Sequence, residues 1–275
     1  MKKHISTVIL IIAFLAGVCL MMYPTVSDFI NKAHQSHEID TYEHAVSSLT
    51  NDDYEMMLQE AYAYNKRLNT NEFPLTQTDL TGNTDYLNAL NPSGNGMMGY
   101  LKINKIDVRL PIYHTTEEPI LQIGVGHMPM TSLPVGGEGT HAILSGHRGL
   151  PSAKLFSDLD KLEVGDVFYI YILDDILAYK IDQIKTVEPT DTSDLQIVEG
   201  KDYVTLVTCT PYGINTHRLL VRGERVPYES TIADRRNLTD DANIIAPEQI
   251  AVFIGAPILF ILLITIIIVK KKVWR

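Results

Sequence analysis

Only two cysteines stand in 275 residues, Cys19 and Cys209. The first lies in an apolar run and the second far downstream, so they cannot staple a domain, and a disulfide framework is excluded. Basic charge is short as well. The chain has 23 Lys and Arg against 33 Asp and Glu, for a formal net charge of -10. The basic footprint of a nucleic-acid binder is therefore missing. No H-E-x-x-H and no C-x-x-C occurs, which leaves zinc without a ligand pattern. There is no G-x-x-x-x-G-K-[ST] loop for phosphates. Ser145, in "ILSGH", lacks the G-x-S-x-G context of a nucleophilic serine. Internal repeats and low-complexity tracts are lacking too.

Two long apolar runs are present, one at each end. Residues 5–22, "ISTVILIIAFLAGVCLMM", and residues 250–269, "IAVFIGAPILFILLITIIIV", are uncharged and long enough to span a bilayer. Lys2 and Lys3 precede the first, and Lys270, Lys271, Lys272 and Arg275 follow the second. Basic flanks stay in the cytoplasm, so both termini are expected there and residues of about 25–248 outside. The bulky "GVCLMMYP" offers no small-x-small cleavage site. Val18 stands before Cys19, where a lipoprotein signal needs a small residue. The first run is expected to remain as an anchor.

Between the anchors the texture changes twice. Residues 26–70 carry no proline or glycine and are expected to be helical, broken near "TNDDYEMM", where Thr50 or Asn51 would cap a helix. Met56, Ala61, Tyr62 and Leu68 suggest its apolar stripe, and a spacer role is expected for most of the region. Residues 71–98 are rich in Asn, Thr, Gly and Pro and predict a long loop with a helical turn at "DYLNAL". From about Gly99, short apolar runs alternate with turns. "YLKI", "VRLPIYH", "THAILSGH", "DVFYIYIL", "ILAYKIDQIKTV", "YVTLVTC" and "RLLVRGERV" predict strands, with a hairpin at Asp174 and Asp175. "SAKLFSDLDKL" predicts the one short helix among them. Strands at this spacing suggest a closed or nearly closed barrel. The implied organisation is 1–24 N-terminus and first span, 25–98 helical region and loop, and 99–228 barrel. It continues as 229–249 tether, 250–269 second span and 270–275 basic tail.

An unpaired thiol on an exported domain is a candidate nucleophile, although free cysteine is also a common buried hydrophobe. Cys209 ends one predicted strand and Arg218 begins the next, with only "TPYGINTH" between them. A hairpin would bring the two together at one end of the sheet. A thiolate needs a base or a cation beside it. Among His114, His127, His141, His147 and His217, His147 in "THAILSGHRG" has the best context, between glycines after an apolar strand. His141 reads as structural, and His217 would face away from Arg218's side of the strand.

These residues resemble a known family. "TLVTC", "GHRG" and "HRLLVRG" are similar to the cysteine, histidine and arginine motifs of the sortases, membrane-bound cysteine transpeptidases of Gram-positive bacteria. "LPIYHTT", "GVGHMPMTSLPVGG", "LSGHRGLPSAKLFSDLDKL" and "TCTPYGINTHRLLVRGER", with the paired anchors, resemble class C, the pilin-polymerising sortases. The resemblance covers residues of about 55–228. It implies a β-barrel of about eight strands, mainly β overall, behind an N-terminal helical region. It implies Cys209 as nucleophile on a Leu-Pro-x-Thr-Gly-like sorting signal, Arg218 as oxyanion stabiliser and His147 as general acid and base. The acceptor would be a lysine amine of a pilin subunit, and neither cofactor nor metal is called for. A housekeeping sortase acting on cell-wall precursors and a non-catalytic scaffold on the same barrel are the competing readings. Class C members commonly carry a lid with Asp-Pro followed by an aromatic residue. Here Asp79 is followed by Leu80, and Phe73-Pro74 lacks the aspartate, so an absent or altered plug is expected.

Overall fold

A computed structural model describes residues 2–69 and 84–228 of the chain. The expected second span at 250–269, the tether, the basic tail and residues 70–83 of the expected loop lie outside the described residues. Two compact units divide the chain, and the second, Asn31–Glu229, holds the barrel. In the first, the leading part of helix α1 (Lys2–Ser47) presents Ile9, Ile12, Leu20 and Met21 without cover. Among the described residues one helix, Ile11–Ser47, is long and apolar enough to cross a membrane.

In the second unit, α1 is followed at once by α2 (Asn51–Asn69). Thr50 caps α2 in both directions. Its Oγ1 accepts the Asp53 N–H at 3.2 Å, and the Asp53 carboxylate accepts the Thr50 N–H at 3.2 Å. The buried face of α2 differs from the expected stripe. Tyr54, Met57, Leu58, Ala61, Tyr64, Asn65 and Leu68 pack inward, while Met56 and Tyr62 are exposed. The inward set follows the i, i+3, i+4 period; Met56 and Tyr62 lie off it.

These helices are not a spacer. The Tyr42 hydroxyl donates to the Met98 carbonyl at 2.8 Å and accepts the Leu173 N–H at 2.7 Å, tying α1 to two strand ends. Asn65 exchanges both amide bonds with the Leu133 backbone, at 3.0 and 2.7 Å. Each bond satisfies a buried polar group that would otherwise be costly.

Eight strands follow: β1 (Met97–Ile103), β2 (Val108–His114), β3 (Val125–His127), β4 (Thr140–Ser145), β5 (Val167–Ile172), β6 (Asp175–Val187), β7 (Asp202–Thr210) and β8 (His217–Val226). They close into a barrel in the order β1-β2-β3-β4-β7-β8-β6-β5. Hairpins join β1 to β2, β5 to β6 and β7 to β8. The β2–β3 and β4–β7 neighbours are parallel. Leu101, Ile103, Ile112, Leu144, Phe168, Tyr179, Val204 and Val221 belong to the main core, and many strand residues are buried on both faces. The helical turn expected at "DYLNAL" is α3 (Thr84–Asn88), and α4 (Glu118–Leu121) was not expected.

"SAKLFSDLDKL" is not an α-helix. It forms turns and a single 3-10 turn at Leu159–Lys161. Ala153, Leu155, Phe156, Leu159 and Leu162 are all buried, but Leu155 takes a left-handed φ of 39°, which an α-helix cannot contain. Tertiary burial overrides local helix propensity here.

Candidate active site

Cys209 and Arg218 are cross-strand partners in the β7–β8 ladder, with Thr210 opposite His217 one step further on. Side chains alternate along each strand, so Cys209 shares a face with Val207, and Arg218 with Leu220. Val207, Leu220 and Ile143 of β4 form a small buried cluster of their own, packed by Met128, Val187 and Leu195. The thiol and the guanidinium therefore stand at the end of a two-strand face floored by aliphatic side chains. Both residues are half-buried. The loop closing the hairpin turns tightly: the Pro211 carbonyl accepts the N–H groups of Ile214 and Asn215, each at 3.0 Å.

Arg218 differs from the other described arginines. Arg67, Arg109, Arg148, Arg222 and Arg225 each lie within 4.0 Å of a carboxylate. Among the described residues Arg218 has none. Its Nη1 donates only to the carbonyls of His217, at 3.2 Å, and Asn215, at 3.5 Å. No described carboxylate neutralises its charge, which suits it to an incoming acceptor.

His147 lies two residues beyond β4, in a segment tied to the end of β7. Ser145 pairs with Val207. The Gly146 N–H donates to the Val207 carbonyl at 3.0 Å, and Thr208 Oγ1 donates to the Gly146 carbonyl at 2.7 Å. Arg148 Nη1 donates to Thr210 Oγ1 at 3.1 Å, and its other amine pairs with Asp160. His147 is thus bracketed by bonds to both chain neighbours of Cys209. A Cβ on Gly146 would meet the Phe156 ring at 2.7 Å, so the glycine there serves close packing and not only a sharp turn.

The other barrel histidines have different surroundings. His141 Nδ1 donates to the Gln196 carbonyl at 2.9 Å, and its Nε2 accepts from Thr205 Oγ1 at 2.7 Å. His127 is fully buried between Tyr86 and Ser132, and burial pulls its pKa down to about 4. His114 is buried too, and desolvation lowers its pKa. His217 pairs with Glu188 at 3.2 Å. One residue went unnoticed in the sequence. Glu118, the first residue of α4, lies against His147, with Nε2 at 3.2 and 3.3 Å from its two carboxylate oxygens. The signal available was a glutamate just before Pro119, which is well placed at the start of a helix.

Residues 101–226 match the family model described as the sortase domain. Sortase D of Bacillus subtilis (strain 168) is 31% identical over 141 residues, spanning 50% of this chain and 68% of that protein. Sortase C1 of Streptococcus agalactiae, in crystal form, is 51% identical with a TM-score of 0.66, covering 70% of this chain and 100% of that one. A Clostridium perfringens sortase C, solved with the C-terminal cell wall sorting motif, is 42% identical with a TM-score of 0.61, covering 70% of this chain and 100% of that one. The barrel, the thiol at its strand end and these likenesses lead to one assignment: the chain belongs to the sortase family of cysteine transpeptidases, and solved structures similar to it are class C sortases.

Proposed function

We propose that the chain polymerises pilins, with Cys209 as nucleophile, Arg218 as oxyanion stabiliser and His147 as general acid and base. The Cys209 thiolate attacks the threonine carbonyl of a Leu-Pro-x-Thr-Gly-like signal. The C–S bond forms, the Thr–Gly C–N bond breaks, and His147 gives its proton to the leaving amine. A lysine amine of a second pilin subunit then attacks the thioester. His147 takes its proton, the new C–N bond forms, the C–S bond breaks and Cys209 leaves as the thiolate. Arg218 donates to the negative oxygen that develops in both steps. The scheme needs no cofactor and no metal.

The observation that carries this reading is the Cys209–Arg218 cross-strand pair, with an arginine that no described carboxylate neutralises. Likeness to class C sortases at 51% and 42% identity supports the pilin acceptor. The proposed topology keeps both termini in the cytoplasm, one span at residues 5–22 and another at 250–269, and the barrel outside. Mass spectrometry of the full chain incubated with a sorting-signal peptide tests the chemistry. The expected product is a thioester on Cys209. A peptide cleaved at an undiminished rate by Cys209→Ala would overturn the assignment.

A further inference from the structure

The ring of His147 has one hydrogen-bond partner among the described residues, the Glu118 carboxylate, and only through Nε2. An ionised carboxylate can only accept, so the Nε2 facing it carries the hydrogen. In the neutral ring the lone pair then falls on Nδ1. We propose that Glu118 is a positioning residue: it holds His147 by Nε2–H, sets the angle of the ring and leaves Nδ1 as the nitrogen that accepts and returns the proton. The inference rests on His147 being the acid and base of the proposed reaction, and it adds the group that orients it.

Three features hold Glu118 in place. Pro119 follows it at the head of α4, where its fixed φ suits the first helical turn. Gln122, one turn on, donates from Nε2 to Glu118 Oε1 and pins the carboxylate. Behind the helix the chain is tight. Gln35 Nε2 donates to the Ile123 carbonyl at 2.9 Å, and a Cβ on Gly126 would meet the Thr115 carbonyl at 2.3 Å. The carboxyl is also held below its usual range, first by the Gln122 amide and then by His147, so it stays ionised at neutral pH. An exposed ion pair of this kind contributes little to folding. Its effect is expected on the orientation of the ring.

The test compares Glu118→Ala and Glu118→Gln in the full chain in detergent micelles. The gel-melting or thermal midpoint of both is expected to match wild type, since Glu118 is exposed. Imidazole nitrogens are followed by NMR with nitrogen-15 histidine, and the His147 signals are identified by their loss in His147→Gln. Wild type is expected to show His147 as the Nε2–H tautomer, and Glu118→Ala an added Nδ1–H fraction. With a sorting-signal peptide, Glu118→Ala is expected to lower kcat about fivefold with KM unchanged. Glu118→Gln, whose amide oxygen can accept the same hydrogen, is expected to stay within about twofold of wild type. Wild-type kcat in Glu118→Ala, unchanged ring signals, or a loss confined to KM would each overturn the positioning role. Turnover that persists in His147→Gln would overturn instead the assignment of His147 itself.

Discussion

Cys209 and Arg218 face each other across a single rung of the β7–β8 ladder. The rung fixes the spacing between a thiol and a guanidinium without any bond between their side chains. Backbone pairing thus sets the geometry, and no described carboxylate takes up the charge. Replacing Arg218 is then expected to slow chemistry and leave the fold unchanged. Arg218→Gln should lower the rate of acyl-enzyme formation about 10²–10³-fold, the usual cost of losing an oxyanion donor. Arg218→Lys should recover only part of it, because a point charge does not reproduce the planar fork. Single-turnover mass spectrometry of the thioester gives both rates.

Gly146 packs its bare backbone against Phe156. Gly146→Ala is expected to destabilise the protein by about 1–3 kcal/mol through overpacking. Gly146→Ala with Phe156→Leu should regain part of the loss by opening room for the new methyl. Thermal midpoints of the two variants decide it, and equal midpoints would count against the contact.

Acid should destabilise the barrel through His127. Its folded pKa is about 4 against an ordinary value of 6.5, so between those pH values the unfolded chain binds the extra proton. Stability is therefore complete above about pH 6.5 and declines as pH falls toward 4, by on the order of 3 kcal/mol. The lowered pKa values of His114 and His141 act in the same direction. His127→Gln is expected to be less stable at neutral pH yet to show a shallower acid decline. Denaturant unfolding across that pH range measures both slopes.

The missing Asp-Pro-aromatic motif predicts that the thiol is open to reagents before substrate arrives. Alkylation of Cys209 in the resting full chain is expected at nearly the rate seen after deletion of residues 71–83. A tenfold or greater rise on deletion would show that the segment covers the site after all.

The sequence made the β7–β8 hairpin legible because two apolar runs are joined by one short polar loop. A local hairpin needs nothing from the rest of the chain. The β4–β7 pairing was not legible in that way, since it is parallel and spans the β5–β6 hairpin. His147 was picked out by its glycine context, and only the parallel ladder shows why its segment ends beside Cys209. Strand β3 is three residues long, too short for an alternating pattern to register. Glu118 stayed hidden because its partner lies 29 residues further along the chain, beyond β4, and not along its own helix. On α2, Met56 and Tyr62 misled because apolar character alone does not fix a helical face. The packing of Asn65 onto Leu133 shows that a polar residue can hold the centre of one.

The parallel pairing of β4 and β7 also bears on the order in which the site is assembled. The hairpin that joins Cys209 to Arg218 closes over a short loop. The bonds that bring in the His147 segment, Thr208 to Gly146 and Arg148 to Thr210, close over a sequence separation of 62 residues. The longer closure costs on the order of 1–2 kcal/mol more in chain entropy and is intrinsically slower. On these closure lengths the thiol and its arginine are expected to come together first during folding, and the histidine segment last. The Cys209 thiol is then expected to have its arginine in place before the His147 segment docks beside it.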